Sequence, residues 1–268
     1  MVSADEETAD RSGPVAGLEE PAHALVTGAS SGIGLAILGQ LLDNPHVAFV
    51  AAVSRSAGRS DALQALLAAD PERLMVFDAD LTVEHDLARL SDALVKRVDR
   101  LHLVVNAAGV LHSEGLRPEK ALEQVSLSSL QRIFAINAFA PILLARALLP
   151  LLGHGAPLVF ASLSARVGSI GDNRSGGWYA YRASKAAQNQ LLKTLSIEMA
   201  RRNRRTCCVL LHPGTVDTPL SASFQARVAP EKLFAAERAA SQLLDIIAHC
   251  TPAQSGRFYA WDGSEVPW

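Results

Sequence analysis

Short apolar segments alternate with longer amphipathic ones along most of the chain, and this alternation limits the possible folds more than any other feature. The segments between the apolar runs have helical periodicity. Strands that are apolar on both sides, separated by helices, predict a parallel sheet covered on both faces. The expected fold is α/β, a single doubly wound domain with a sheet of about seven strands. The apolar segments predicted as strands are His23–Thr27, Val47–Ser54, Leu74–Phe77, Leu101–Asn106, Leu158–Ala161 and Cys207–His212.

Composition and charge exclude several classes of protein. The chain has 268 residues, of which 49% are hydrophobic, so it can bury a sizeable core, and no composition shift marks a second domain. The first 21 residues contain six acids and one base, which predicts a disordered acidic leader over residues 1–21 and a folded domain over 22–268. The nearly neutral domain argues against nucleic acid or an anionic membrane surface as a partner.

The cysteines and the apolar runs point to the same cellular setting. Cys207 and Cys208 are adjacent and Cys250 is distant, so the spacing offers neither a disulfide framework nor a metal-ligand pair. No uninterrupted apolar run approaches the roughly 18 residues of a membrane span. We therefore expect a cytoplasmic protein with no metal and no membrane anchor.

A glycine-rich turn follows the first predicted strand and opens the first predicted helix. Glycines allow a tight turn and a close approach of the main chain, so N–H groups at the helix start can bind a phosphate. A turn alone is weak evidence, but the strand before it and the helix after it favour a dinucleotide-binding loop. The residues predicted to contact the dinucleotide here are Gly28, Ser30, Ser31, Gly32, Ile33 and Gly34.

Tyr181 and Lys185 stand four residues apart at the start of the long helical pattern Ala180–Arg202, so they share one helix face. An ammonium beside a phenol stabilises the phenolate, which lets the pair exchange a proton with a carbonyl oxygen. Such a pair by itself is usually a solvated helix face. Combined with the glycine-rich loop, it predicts a catalytic acid and its partner.

These motifs and several others resemble the short-chain dehydrogenase/reductase family over residues 22 to 268. The further matching segments are Asp80-Leu81, Asn106-Ala107-Ala108-Gly109 and Pro213-Gly214-Thr215-Val216-Asp217-Thr218. Three more segments are similar to the C-factor and sniffer-like carbonyl reductase subgroup. These are Arg166-Val167-Gly168-Ser169-Ile170, Gly176-Gly177-Trp178-Tyr179-Ala180-Tyr181-Arg182 and Tyr259-Ala260-Trp261-Asp262-Gly263.

The resemblance implies a Rossmann-type domain that moves a hydride between a nicotinamide and a carbonyl or alcohol carbon. Tyr181 would protonate the substrate oxygen, Lys185 would hold the nicotinamide ribose and lower the Tyr181 pKa, and Asn137 would support a water chain. Pro141 has no N–H, so it cannot satisfy the Asn137 carbonyl four residues earlier. The resemblance adds the cofactor contacts Asp80, Leu81, Asn106, Ala107, Gly109, Pro213, Gly214, Val216 and Thr218.

The end of the second predicted strand indicates the type of cofactor. An acid at this point favours NAD(H), because it hydrogen-bonds the ribose, whereas a base accepts a 2′-phosphate. The strand ends in Ser54 and Arg55, and the Arg55 guanidinium suits a phosphate. The sequence therefore predicts NADP(H) in preference to NAD(H).

The catalytic serine of the family is missing from its usual position. Counting back from Gly168, that position falls on Ala165, with Ser164 beside it. We expect the strand end to twist so that the Ser164 hydroxyl reaches the Tyr181 phenol. If Ala165 instead removes the hydroxyl from the site, the chain could be a dinucleotide-binding signalling or sensing protein with weak or no turnover.

The substrate itself is not identified by the sequence. The family contacts its substrate with the segment after the nicotinamide-side loop, here about residues 219–230, which is small and modestly apolar. A small-molecule carbonyl or alcohol fits that segment. The resemblance also leaves a homodimer or a homotetramer open.

Overall fold

The computed structural model describes residues 13–268, which form one seven-stranded sheet covered on both faces by helices. The strands are β1 Ala22–Thr27, β2 Val47–Ser54, β3 Leu74–Asp78, β4 Leu103–Asn106, β5 Leu158–Leu163, β6 Thr206–His212, β7 Thr215–Val216, β8 Leu233–Phe234 and β9 Arg257–Ala260. The helices are α1 Gly32–Leu42, α2 Asp61–Ala69, α3 Glu84–Leu94, α4 Leu127–Phe134, α5 Ala140–Ala147, α6 Leu149–Leu152, α7 Tyr179–Arg202 and α8 Ala236–His249.

The large sheet is entirely parallel, in the order β3-β2-β1-β4-β5-β6-β9. The order runs outward from β1 in one direction and from β4 in the other. Ligands of doubly wound sheets bind at this reversal, outside the carboxyl ends of the strands. The predicted fold class is confirmed. Strands β7 and β8 form a separate two-stranded pair after β6.

Successive residues of the central strands face two separate hydrophobic cores. Phe160 of β5 packs in the core that also contains residues of α3, α5 and α7, whereas Val159 and Ala161 pack in the core that contains residues of α1 and α8. Because side chains alternate along a strand and both faces are covered, these strands are apolar at almost every position. This double burial explains why the strands could be located from the sequence.

Residues 13–21 pack on the domain, so the predicted disorder is wrong for this part of the leader. Val15 is 3% exposed and belongs to the core that contains α1 and α8 residues. Arg205 donates to the Gly17 carbonyl at 2.9 Å, and the buried His102 ring donates to Glu20 at 3.2 Å. One buried valine and two polar anchors fix the segment. Residues 1–12 of the predicted leader lie outside the described residues.

A helical segment from Leu127 to Ala147 joins α4 and α5 through a π-helical turn, Ala135–Phe139. It has 21 residues, and its most apolar stretch of 18 residues has a mean hydropathy of 1.4, which is long and apolar enough to cross a membrane. Ile133 and Leu144 are nevertheless fully buried within the domain. The apolar character of the segment thus includes side chains that pack against the rest of the protein.

Candidate active site

A cleft of about 400 Å³ opens at the carboxyl edge of the sheet, where the strand order reverses. The glycine-rich loop, the residues after β2 and β3, and the loop after β4 form its walls. Twelve of the predicted cofactor contacts line this cleft: Gly28, Ser30, Ser31, Gly32, Ile33, Gly34, Arg55, Asp80, Leu81, Ala107, Gly109 and Thr218. Its position and lining match the site predicted for a dinucleotide.

The glycine-rich loop can only be built with glycine at its key positions. Gly28 has a φ of +65°, and a Cβ there would lie 2.9 Å from the Ala108 backbone nitrogen. A Cβ on Gly34 would collide with the Gly28 carbonyl. Ser31 at the start of α1 makes no side-chain capping bond, so N–H groups of the first turn stay available. The cradle therefore fits a diphosphate at the helix N-terminus.

The end of β2 adds hydroxyl groups beside Arg55 that the sequence analysis missed. Ser54 and Ser56 line the cleft with Arg55. The Ser54 hydroxyl is buried and has no hydrogen-bond partner among residues 13–268. Asp78 is the register partner of Ser54, but its carboxylate accepts the Gly58 N–H at 2.9 Å. Ser54, Arg55 and Ser56 thus present hydrogen-bond donors to the same end of the cleft.

Six predicted cofactor contacts are not among the residues that line this cleft: Asn106, Tyr181, Lys185, Pro213, Gly214 and Val216. Asn106 lies beneath it, fully buried, where it accepts from the Thr27 hydroxyl at 2.7 Å and donates to Ser162 at 2.9 Å. This side chain joins β1, β4 and β5. Gly214 packs so closely on Phe234 that a Cβ would lie 2.7 Å from the ring. In this structure, Asn106 connects the strand ends and Gly214 packs against Phe234.

The first turn of α7 positions Tyr181, and a buried glutamate holds that turn. Glu119 is 2% exposed; its carboxylate accepts the Ala180 N–H at 3.2 Å, and its carbonyl accepts the Trp178 N–H. Trp178 has a φ of +52°, and this left-handed conformation turns the backbone directly before α7 begins. A carboxylate at a helix N-terminus also stabilises the helix dipole. The sequence analysis missed Glu119, because nothing local distinguishes it from a surface residue.

Lys185 is buried beside Tyr181 and bonded to two oxygens. Its Nζ donates to the Leu163 carbonyl at 2.8 Å and to Gln188 Oε1 at 2.9 Å, and lies 5.9 Å from the Tyr181 ring centroid. Burial lowers the pKa of Lys185 to about 7. Burial likewise raises the pKa of Tyr181 above its ordinary value. Burial of the phenol thus opposes the lowering of the Tyr181 pKa that the sequence predicts from Lys185, and that lowering stays a prediction.

Asn137 lies in the π-helical turn and links the helix to two other parts of the site. Its amide exchanges two bonds of 2.8 Å with the backbone of Val110 and donates to Ser184 of α7 at 3.1 Å. Pro141 follows in the first turn of α5, without an N–H to complete the helical ladder. Single π-turns often occur at functional sites. The amide of Asn137 thus connects the loop after β4 to α7.

The prediction that Ser164 reaches Tyr181 is wrong. The Ser164 hydroxyl donates to Asn189 of α7 at 2.6 Å. The backbone stays extended at Ala165, with φ −149° and ψ 145°, so the strand alternation continues without the expected twist. Ala165 then starts a short turn, Arg166–Gly168, where Gly168 packs against Lys185. Neither residue 164 nor residue 165 offers a hydroxyl to the phenol.

A second cavity of about 750 Å³, here called the side pocket, adjoins the cleft. His112 and Ser113 line both cavities, and His112 donates to the Leu220 carbonyl at 3.1 Å. The ring of Trp178 lies 6.1 Å from that of Tyr181 and 5.2 Å from that of Phe224, between centroids. Phe224 belongs to the predicted substrate segment. Trp178, which lines the side pocket, thus separates this pocket from Tyr181.

Comparison with known proteins gives consistent matches. A sequence model described as short chain dehydrogenase matches residues 22–229. The C-signal protein of Myxococcus xanthus is 37% identical over 148 residues, covering 55% of this chain and 84% of that protein. Among solved structures, NADPH-bound carbonyl reductase from chicken fatty liver is 25% identical with a TM-score of 0.82, covering 93% of this chain and 100% of that one. Carbonyl reductase Sniffer of D. melanogaster is 26% identical with a TM-score of 0.81, covering 92% and 99%.

Proposed function

Because the chain belongs to the short chain dehydrogenase family and is an oxidoreductase of that type, we propose that it is an NADP(H)-dependent carbonyl reductase. The observation that carries this proposal is the buried pair Tyr181 and Lys185 on the first turns of α7, close to a cleft built for a dinucleotide. A buried proton donor beside a hydride-carrying cofactor is what carbonyl reduction requires.

The residues of the cleft would bind the cofactor from end to end. N–H groups at the start of α1 would hold the diphosphate, Asp80 and Leu81 would contact the adenine, and Lys185 would approach the nicotinamide ribose. A bound nicotinamide dinucleotide supplies the hydride that adds to the carbonyl carbon.

Gly109 connects the cleft to Lys185. It lines the cleft, and a Cβ there would be 3.5 Å from Asn137 Oδ1 and 3.6 Å from Lys185 Nζ.

Tyr181 is suited to donate the proton that completes the reduction. Burial raises the pKa of its phenol above the ordinary value of about 10, so the phenol carries its proton at neutral pH. As the substrate oxygen gains negative charge, the phenol transfers its proton to it and becomes a phenolate. The nearby Lys185 ammonium stabilises this phenolate, and the bonds to Leu163 and Gln188 keep the ammonium in position.

The preference for NADP(H) is supported by the end of β2. Arg55 and the unpaired Ser54 hydroxyl offer donors to a 2′-phosphate, while the neighbouring Asp78 carboxylate is occupied by Gly58. The similar carbonyl reductase from chicken fatty liver binds NADPH. Equal affinity for NADPH and NADH would contradict this part of the proposal.

One observation favours a second candidate, a dinucleotide-binding sensing protein with weak turnover. The Ser164 hydroxyl is used in the bond to Asn189, so the substrate oxygen would meet Tyr181 without the second donor. Removal of one such donor typically costs about 10²- to 10³-fold in turnover. Slow reduction by the unmodified protein would agree with either candidate, whereas tight NADPH binding without any reduction would favour the sensor.

Steady-state oxidation of NADPH against a panel of aldehydes, ketones and quinones tests the proposal. We expect measurable reduction of at least one aromatic carbonyl compound, because the side pocket has an aromatic wall next to Tyr181. The Tyr181→Phe variant is the control for background oxidation. Rates that do not differ between the two proteins for any substrate would contradict the enzyme proposal.

A further inference from the structure

We propose that the side pocket selects carbonyl substrates that carry an anionic group, such as a carboxylate, and that Arg117 and Lys120 bind this group. The inference rests on the proposed reductase function and names its substrate class. The carbonyl would face Tyr181 at one end of the pocket, with the anionic group at the other.

The charged residues around the side pocket are segregated by sign. Arg117 and Lys120 both line it, and no aspartate or glutamate does. Within the described part of the chain, neither cation forms an ion pair. The same loop contains three carboxylates that could have neutralised them, and one of these, Glu123, is exposed and neither lines the pocket nor forms an ion pair with Lys120. Glu119 is buried beneath the start of α7, and Glu114 does not line the pocket.

The position of Arg117 and Lys120 on the wall of a cavity distinguishes them from surface cations such as Arg201 and Lys96, which line neither cavity. Arg100, Arg146 and Arg202 each pair with a nearby carboxylate at the protein surface. Arg117 and Lys120 instead face a concave space whose lining supplies no counter-charge. A cavity with walls of one sign concentrates ligands of the opposite sign.

The loop that carries the cations is fixed relative to the catalytic tyrosine. Glu119, between them in sequence, bonds to the backbone of Trp178 and Ala180 at the start of α7. The Lys120 N–H donates to Gln124 Oε1 at 2.7 Å. The same turn of α7 carries Tyr181. These hydrogen bonds hold the backbone between Arg117 and Lys120 against the start of α7, which reduces the cost of ordering the loop on binding.

The space between the two ends suits a flat apolar group. Trp178 and Phe224 pack at 5.2 Å between ring centroids, and Trp178 meets Tyr181 edge to face. Aromatic rings favour an aromatic ligand through stacking and edge contacts. An aryl aldehyde or ketone with a carboxylate on the far side of the ring has the required order of groups.

The test compares matched anionic and neutral substrates. The reduction of 4-carboxybenzaldehyde is measured against that of its methyl ester, and that of 4-carboxycinnamaldehyde against its methyl ester, all with NADPH. We expect kcat/KM for at least one acid to exceed that of its ester by about 10-fold, the low end for a charge-assisted bond. Rising salt should reduce this preference, because it screens exposed charges.

Charge-removing variants then locate the anion site. Arg117→Gln and Lys120→Gln should each lower the acid-to-ester ratio of kcat/KM by about 3- to 10-fold, as expected for charged partners at a partly exposed site. Arg201→Gln and Lys96→Gln remove exposed cations outside both cavities and should leave the ratio unchanged. A ratio near one in the parent protein, or equal ratios in all variants, would overturn the inference while leaving the reductase function intact.

A binding measurement separates this inference from the proposed function. If no substrate is reduced, quenching of tryptophan fluorescence by 4-carboxybenzaldehyde is compared with quenching by its methyl ester. Tighter binding of the acid that is lost in Arg117→Gln would support the anion site even though the reductase proposal had failed. Equal binding of acid and ester would overturn the anion site.

Discussion

The Ser164 hydroxyl donates to Asn189 at 2.6 Å and so joins the end of β5 to the middle of α7. Both residues are buried, so the bond fixes the helix that carries Tyr181 and Lys185. The same bond removes the only hydroxyl next to Ala165 from the catalytic site. Ser164 therefore supports the structure and does not polarise the substrate, so we expect substitution at position 164 to change stability and substitution at position 165 to change turnover.

Ala165→Ser should increase turnover. The new hydroxyl would stand on the other side of the extended chain from Ser164, at the position from which the family serine acts. One added donor to the substrate oxygen should raise kcat by roughly 10-fold or more. Ala165→Cys is the control, because a thiol has similar size but is a weak donor. An unchanged kcat in Ala165→Ser would contradict this account of the missing hydroxyl.

Ser164→Ala should reduce stability and change turnover little. The variant leaves Asn189 without its buried partner, which typically costs about 1–3 kcal/mol in the free energy of unfolding. Urea titration measures this loss, and steady-state assays at low temperature measure kcat in the folded protein. A large loss of kcat at full stability would show that Ser164 acts on the substrate after all.

Lys185→Met should change how stability depends on pH. In the folded protein the pKa of Lys185 is about 7, below its ordinary 10.5, so between these values the unfolded chain binds a proton that the folded chain has lost. The Lys185 contribution therefore makes the folded state more stable as pH rises through this window. The stability of the parent relative to Lys185→Met should rise by at least about 1.4 kcal/mol from pH 7 to 10.

Urea titrations of both proteins across that window measure the difference between their free energies of unfolding. The contributions of most other titrating groups are the same in both proteins and cancel in this difference. Tyr181, whose pKa is raised by burial, opposes the trend only above pH 10, its ordinary range. A difference that stays constant with pH would show that the Lys185 ammonium is not disfavoured by its surroundings.

Arg55→Asp should narrow or reverse the cofactor preference. The change replaces a phosphate donor with a carboxylate, which repels a 2′-phosphate and can accept from ribose hydroxyls. We expect the ratio of the NADH to the NADPH dissociation constant to fall by roughly 10- to 100-fold. Arg59→Asp is the control, since Arg59 does not line the cleft. Fluorescence titration with each cofactor measures the two dissociation constants. If their ratio changes equally in Arg55→Asp and Arg59→Asp, the change in net charge alone explains the effect, and Arg55 has no specific role.

Glu119→Ala should impair catalysis through the position of Tyr181. The variant removes the carboxylate that accepts the Ala180 N–H, a change that costs about 0.5–2 kcal/mol at helix starts. We expect lower stability together with a lower kcat. Glu119→Gln keeps an acceptor at this point and should restore most of both. If Glu119→Gln is as slow as Glu119→Ala despite full stability, the charge of Glu119 matters in its own right.

The sequence was sufficient for the elements and motifs that depend on contiguous residues. Strand β5 is apolar on both faces, and the glycine-rich loop contains all its requirements within eight residues, so both were found without a structure. Glu119 and Ser54 gain their roles from partners on other elements, which no local pattern shows. The direction of Ser164 depended on whether the strand twists at its end, and a single sequence does not specify that.

Comparison of Tyr181→Phe with the parent protein, in NADPH-dependent reduction and in NADPH binding, tests the central claim most directly. Phenylalanine keeps the buried ring and removes only the proton donor. The account predicts a loss of turnover of about 10²- to 10⁴-fold with nearly unchanged NADPH affinity. A Tyr181→Phe variant that reduces a good substrate at the parental rate would contradict the claim that Tyr181 is the catalytic acid.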